Sequence, residues 1–351
     1  MSGTSLCILP MLAALVSSLA PARAQAPTPS QNPNQARNLT PEQQADTEAL
    51  RALANSVPLL PVERIELKVN PPLTLVGYSA AAADKDGNVY VIHRPVDPNV
   101  DPVVVLDAKG NLLRSWGKGM YTMPHSIRID PAGNVWTVDA RTSMIFKFTP
   151  QGKKLLEISV GDVPDPSQAF CGATDVTFAA NGHVYVSDGY CNARFIEYTA
   201  DGKKVKEWGR IATLPLKAFR TRPGITGPGE FYVAHDISIG PDGILYVADR
   251  ENGRLQWFDK DGKYLGEKKF GGQLFSVAQS PAGDLYVGTH ERDVPTFEEG
   301  SFIFKFDPKS GKILGKIEAP AHQLSVAPDG TLLPGIRAPK TTSVLLLRPL
   351  K

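Results

Sequence analysis

Cysteine is scarce in this sequence: there are three in 351 residues, and one of them, Cys7, lies in an apolar N-terminal stretch. So few thiols exclude a cysteine-rich zinc framework or a densely cross-linked scaffold. Histidine is almost as rare, with six residues. Neither sign of charge dominates, since 38 Lys and Arg face 36 Asp and Glu, and the bases are spread through turns such as Asp201-Gly202-Lys203-Lys204. That distribution carries no nucleic-acid footprint. Beyond the N-terminal stretch no apolar run is long enough to span a membrane. Turn formers are plentiful instead: 31 Gly and 30 Pro, about one residue in six.

Residues 1–24 read as an export signal. Leu6 to Leu19 is apolar but short and broken, and Ala22-Arg23-Ala24 offers a small-residue cleavage site before Gln25. The segment MSGTS at the start has no Lys or Arg, so an N-terminal anchor is the alternative. Residues 25–60, rich in Pro, Gln, Asn and Thr, are expected to form a disordered linker, with the folded domain over 61–351. Export removes Cys7. The remaining pair, Cys171 and Cys191, is most simply a disulfide in an oxidising compartment, and the expected location is periplasmic or secreted. A metal role for the pair is the lesser alternative, because its spacing is not of the C-x-x-C type.

One hairpin pattern recurs six times: an alternating strand, a turn ending in glycine, and a second strand. The turn glycines are Gly87, Gly133, Gly182, Gly243, Gly283 and Gly330, spaced by 46, 49, 61, 40 and 47 residues. Further strand patterns follow, as in MIFKFTPQGKKLLEI and LQWFDKDGKYLGEK. Units of this length with four strands each predict an all-β fold, a six-bladed β-propeller of four-stranded blades around a central channel. Closure is expected to pair a strand near Ile65 to Val69 with the C-terminal SVLLLRPL. The longest spacing holds a basic insertion, Arg210 to Glu230, which is a candidate lid or simply a variable loop. A closed propeller leaves no edge that demands a partner, so a monomer is expected.

Eight residues before each turn glycine stand Ser79, His125, Thr174, His235, Phe275 and His322. Histidine thus fills one equivalent position in blades two, four and six. Alternate blades of a six-fold ring lie about 120° apart, so side chains facing the axis from this position converge. Three neutral imidazoles with an open fourth position are the pattern of a catalytic zinc, although copper, iron and nickel also accept imidazole. At the ends of the inner strands the sequence places Arg94, Arg141, Tyr190 and Arg250. A tyrosine there could act as a general base and an arginine could hold a carboxylate. Pairing of the arginines with Asp139, Asp188 or Asp249 is the structural alternative.

These features resemble the NHL-repeat propellers and, within them, the peptidyl-α-hydroxyglycine α-amidating lyase family, the second enzyme of peptide C-terminal amidation. The resemblance covers most of residues 75–335. It is strongest in MPHSIRIDPAGNVWTVDA, FCGATDVTFAANGHVYVSDGYCNARF and AHDISIGPDGILYVADRENGRLQWFD. It implies zinc on His125, His235 and His322, a catalytic Tyr190, active-site Arg94 and Arg250, and a disulfide between Cys171 and Cys191. It also implies a structural calcium on the backbone carbonyls of Ala81 and Ile127 and on an Asp just after the third histidine, where this chain has Gln323. A pocket Met of the family is Pro320 here, and a second family disulfide is replaced by Tyr246 and Trp257. The implied reaction is cleavage of a carboxylate-bearing carbinolamide, a small molecule or a peptide, to an amide and glyoxylate. A lactonase-like metal-dependent hydrolase and a non-catalytic NHL binding module are the alternatives from other classes.

Overall fold

The computed structural model describes residues 1, 39–161, 171–190, 192–209, 227–294 and 296–350. The expected signal, the first part of the expected linker, Cys191 and most of the basic insertion lie outside the described residues. Among the described residues, no helix is long and apolar enough to cross a membrane.

The chain forms six four-stranded antiparallel sheets whose inner strands touch in a closed ring. The first strand, β1 (Val62–Lys68), is set aside until the end. Blade one is β2 (Ala80–Ala83), β3 (Val89–Ile92), β4 (Val103–Leu106) and β5 (Leu112–Trp116). Blade two is β6 (Pro124–Ile129), β7 (Val135–Asp139), β8 (Met144–Phe148) and β9 (Lys154–Ser159). Blade three is β10 (Asp175–Phe178), β11 (Val184–Asp188), β12 (Arg194–Tyr198) and β13 (Lys204–Trp208). Blade four is β14 (Ala234–Ile239), β15 (Leu245–Asp249), β16 (Arg254–Phe258) and β17 (Tyr264–Lys269). Blade five is β18 (Gln273–Gln279), β19 (Leu285–His290), β20 (Ser301–Asp307) and β21 (Lys312–Glu318). Blade six joins β22 (Leu324–Val326), β23 (Leu332–Pro334) and β24 (Ser343–Pro349) to β1, which pairs with β24 from Val62↔Pro349 to Lys68↔Ser343. The N-terminal strand therefore closes the ring through the last blade, as the apolar C-terminal pattern predicts.

Each turn glycine takes a positive φ, between 73° at Gly243 and 90° at Gly330, a conformation that costs a side-chain-bearing residue and explains why glycine marks every hairpin. The second strands read Val-Tyr-Val-Ile or Val-Trp-Thr-Val and are buried along their whole length, because each blade packs on both faces. Six apolar clusters fill the six gaps between blades. One joins Tyr90 and Val103 of blade one to Ile127 and Phe148 of blade two, and another joins Val344 and Leu67 of blade six to Val89 and Val104 of blade one. The outer strands alternate instead, as β17 does, with one face to solvent.

The expectation of a disordered linker over 25–60 is corrected from residue 41 onward. Pro41–Ser56 forms a helix, α1. Thr40 caps it reciprocally with Gln43, and Pro41 occupies the first turn, where its missing N–H costs nothing. Leu50 and Ala54 of α1 join the cluster of Leu255, Phe270 and Phe304 between blades four and five. The Gly272 N–H donates to Asp46 O at 2.8 Å, and a side chain at Gly271 would meet that same carbonyl. A polar composition hid a helix whose stability comes from its docking face.

Candidate metal centre

The inner strand of a blade carries the histidine, and a bulge turns it inward. In blade two Pro124 pairs with Asp139 and Ser126 with Val138, which leaves His125 as the extra residue. Blade four repeats this at His235, between Ala234↔Asp249 and Asp236↔Ala248. A bulge lets two successive residues face the same side, so His125 and Ser126, and His235 and Asp236, can all look toward the axis. His322 stands at the corresponding place just before β22, its N–H donating to Gly335 O at 2.8 Å.

The three imidazoles converge as the register predicts. Their ring centroids are 4.9 to 5.0 Å apart, and one nitrogen of each lies within 4.8 Å of the others. All three are buried. The opposite nitrogens have fixed partners. His125 Nδ1 lies 2.7 Å from Thr174 O, His235 Nδ1 2.7 Å from Phe275 O, and His322 Nδ1 3.3 Å from Ser79 O. A carbonyl only accepts, so each Nδ1 carries the hydrogen and each Nε2 presents a lone pair. The three carbonyls belong to the register positions that lack histidine, each in the next blade around the ring. Burial pushes all three histidines well below the ordinary imidazole range, helped at His125 by the charge of Arg94 and at His235 by that of Arg250. Neutral imidazoles with oriented Nε2 atoms suit a transition metal, and the Nδ1 contacts are the outer partners such ligands require.

Tyr190 stands at this cluster. Its hydroxyl is 2.8 Å from His125 Nε2 and 3.1 Å from His235 Nε2, and the residue is 4% exposed. One hydroxyl hydrogen cannot serve two facing lone pairs, which again leaves room for a cation among them. The loop that presents Tyr190 is clamped from below: Asp188 accepts from Asn192 Nδ2 at 2.8 Å and from Arg194 Nε at 2.9 Å. Asp249 does the same for Asn252 and Arg254 beside Arg250, at 2.8 and 2.7 Å. The specific motifs DGYCNAR and DRENGR thus share a frame of Asp, Asn and Arg, the first being one residue longer. Of the acids proposed as partners for the rim arginines, Asp188 and Asp249 accept from Arg194 and Arg254, and Asp139 accepts from the backbone N–H groups of Met123 and Arg141 at 3.0 and 2.9 Å.

The two arginines implied for the site differ. Arg250 Nε donates to Glu251 Oε1 at 2.8 Å, and its guanidinium lies 5.4 Å from the Tyr190 ring centre and 5.2 Å from that of Phe275. Burial opposes its charge, but Glu251 and then Tyr190 hold its pKa above the usual value. Arg94 Nε donates to Pro124 O at 2.8 Å, while its buried Nη2 makes no hydrogen bond. Burial, and then the like charge of Arg337, lower Arg94 to about 10. Arg337 is the site residue that sequence reasoning missed. Its charge acts on all three histidines, and its guanidinium lies 5.4 Å from the Phe297 ring centre. The signal was available: Arg94, Arg250 and Arg337 each stand seven residues after their turn glycine.

Two of the three other histidines, His183 and His290, lie against side chains. His183 Nδ1 is 2.6 Å from Glu197 Oε1, and His290 stacks on Phe297 at 4.4 Å. Cys171 is fully buried, and its expected partner Cys191 lies outside the described residues. Two of the three atoms expected to hold calcium already have hydrogen-bond donors: the Ala81 carbonyl accepts from Ser325 Oγ at 2.6 Å and Gln323 Oε1 from Arg128 Nη2 at 3.0 Å. Ile127 is fully buried on β6, opposite Thr137.

Comparison with known proteins finds similarity in sequence and in fold. The NHL repeat model matches residues 231–258, which span the first three strands of blade four. Mouse peptidyl-glycine alpha-amidating monooxygenase is 33% identical over 254 residues, 67% of this chain and 24% of that protein, so the chain spans about a quarter of that relative's length. A probable peptidyl-alpha-hydroxyglycine alpha-amidating lyase of Caenorhabditis elegans is 26% identical over 75% of this chain and 80% of its own. Among solved structures, a streptogramin B lyase superimposes with a TM-score of 0.52 at 15% identity, over 82% of this chain and 98% of that one, a likeness of fold. The chain is a six-bladed propeller whose residues 231–258 match the NHL repeat, and it is similar in sequence to the peptidyl-α-hydroxyglycine α-amidating lyases.

Proposed function

We propose that this chain is an exported, metal-dependent lyase that cleaves the C–N bond of a carboxylate-bearing carbinolamide, such as a peptidyl-α-hydroxyglycine, to an amide and glyoxylate. The observation that carries the reading is the meeting of three neutral imidazoles from alternate blades with the hydroxyl of Tyr190. Names of relatives supply the reaction class, and the residues supply its machinery.

His125, His235 and His322 would hold zinc, which when bound supplies Lewis acidity toward a substrate hydroxyl. Tyr190 takes the hydroxyl proton as general base. As the C–O bond becomes a carbonyl, the C–N bond breaks and its electron pair goes to the amide nitrogen, which receives a proton. Atoms balance without water or an oxidant: one carbinolamide gives one amide and one glyoxylate. Arg250, beside the Tyr190 ring and tied to Glu251, stabilises negative charge on the phenol oxygen while it is deprotonated. Arg94 presents an unused N–H that suits the substrate carboxylate. In the same reading the 1–24 signal is removed on export, Cys171 pairs with Cys191 next to Tyr190, and the mature chain acts as a monomer on small-molecule or peptide substrates.

The test is release of glyoxylate from α-hydroxyhippurate by the purified, zinc-supplemented protein. No release would sink the reading.

A further inference from the structure

The residues that follow the three histidines are Ser126, Asp236 and Gln323, and all three are fully buried. The bulges at His125 and His235 bring two of them to the channel side of their strands, directly behind the imidazoles. All three lead to one guanidinium. Arg128, on β6, places Nη2 2.7 Å from Asp175 Oδ2, 3.2 Å from Asp236 Oδ1 and 3.0 Å from Gln323 Oε1. Ser126 Oγ donates to the other oxygen of Asp175. Gln323 Nε2 reaches back to the carbonyl of His235 itself at 3.3 Å. One cation thus gathers side chains from blades two, three, four and six, and each contact lies within two bonded residues of a histidine or of its neighbour in the ring.

A calcium ion held by the carbonyls of Ala81 and Ile127 and by residue 323 does not fit this arrangement. Calcium needs six to eight oxygens and favours carboxylates among them. Residue 323 is an uncharged amide whose oxygen already faces Arg128, and the Ala81 carbonyl already accepts from Ser325. A divalent ion there would sit against a guanidinium of the same sign, in a buried place where like charges repel strongly.

We infer that the guanidinium of Arg128 takes the place of a structural calcium ion and positions His125, His235 and His322 by holding the residues that follow them. Arg128 touches no reacting atom, so it is a positioning residue. The inference rests on the proposed reading in taking those histidines as metal ligands. All of these contacts fall on Nη2, while the buried Nη1 has no hydrogen-bond partner among the described residues, so the guanidinium gathers the oxygens by its charge at one nitrogen.

Two measurements test it. In the first, thermal unfolding of the zinc-loaded wild type, dialysed into calcium-free buffer, is followed without and with millimolar calcium. The midpoint should be the same in both, and a rise with calcium overturns the substitution. In the second, cobalt(II) replaces zinc as the probe, and its affinity and ligand-field absorption are read without any activity measurement. Arg128→Met should bind cobalt about 10-fold to 100-fold more weakly, with an altered spectrum, as loss of outer-shell support does elsewhere. That variant leaves two buried carboxylates without their cation, so Gln323→Leu, which cuts only the Arg128 and His235 contacts, is measured beside it. A wild-type affinity and spectrum in the folded variants overturns the positioning role. Absence of cobalt binding in the wild type instead removes the metal reading itself, while the calcium comparison still decides whether Arg128 stands in for the ion.

Discussion

The hydroxyl oxygen of Tyr190 lies 2.8 Å from Nε2 of the fully buried His125. The phenol therefore shares its surroundings with the candidate ligands without being one of the three converging imidazoles. Tyr190→Phe keeps the ring, including its contact with Arg250, and removes only the hydroxyl. Turnover of α-hydroxyhippurate is expected to fall by about 100-fold or more, the lower range for loss of a general base. Zinc content should stay at the wild-type level. Unchanged turnover would assign Tyr190 to packing.

Arg94 gives a prediction with two opposite signs. Its buried Nη2 has no hydrogen-bond partner, so the group is costly to the folded protein and useful only to a ligand. Arg94→Met should raise KM for a carboxylate substrate by about 10-fold to 100-fold, the equivalent of one charge-assisted hydrogen bond. The thermal midpoint should hold or rise. Arg337→Gln, at an exposed side chain of the same register, should raise KM less and leave kcat alone. A fall in stability without a change in KM for Arg94→Met would make that residue structural.

The fold was legible because its period is carried by a backbone requirement: six glycines at positive φ end six turns, and no other residue serves there as cheaply. The histidine triad was legible for the same reason, since equal register in a ring means equal direction. Other parts were not. The carbonyls of Thr174, Phe275 and Ser79 orient the imidazoles, but every residue has a carbonyl, so side-chain identity gives no sign of the role. Arg128 is marked in sequence by neither a motif nor the histidine register. Only the assembled ring brings Asp175, Asp236 and Gln323 to it from three other blades. Helix α1 was obscured by averaging over a Pro- and Gln-rich segment, although Thr40-Pro41-Glu42-Gln43 is a local capping signature.

That helix can be tested alone. Leu50 is fully buried between blades four and five, and its loss removes both apolar area and packing contacts. Leu50→Ala should cost about 2–5 kcal/mol, the usual range for such a truncation in a core. A denaturant midpoint equal to the wild type would mean that α1 does not dock in solution. Activity per folded molecule should be unchanged, because Leu50 belongs to the apolar cluster between blades four and five and not to the histidine cluster.

The cysteine pair tests export and the loop together. Cys171 is buried at the start of the hairpin whose far end carries Tyr190. Thiol titration of the mature protein, unfolded without reductant, should find no free cysteine. Reduction should lower stability by about 3 kcal/mol, the scale for closing a short loop. Two free thiols would remove the bridge and weaken the case for an oxidising compartment.

The histidines themselves give the strongest test, because a shared ion and three separate packing roles predict different patterns. His125 is the extra residue of a bulge and pairs with no partner across the strands, so the sheet does not depend on its side chain. His125→Ala should therefore fold. If the three Nε2 atoms hold one ion, two remaining ligands bind it far more weakly, and zinc measured by elemental analysis should fall to a small fraction of the wild-type content. His235→Ala and His322→Ala should match it. Activity should vanish alike in all three, and double variants should add nothing, as expected for residues that act as one unit. His183→Ala is the control: that ring is engaged by Glu197 in a turn, and its removal should leave zinc and turnover intact. Independent packing would instead give modest, additive losses of stability at each position and no link to metal. Full zinc occupancy in His125→Ala would end the metal centre and the lyase with it.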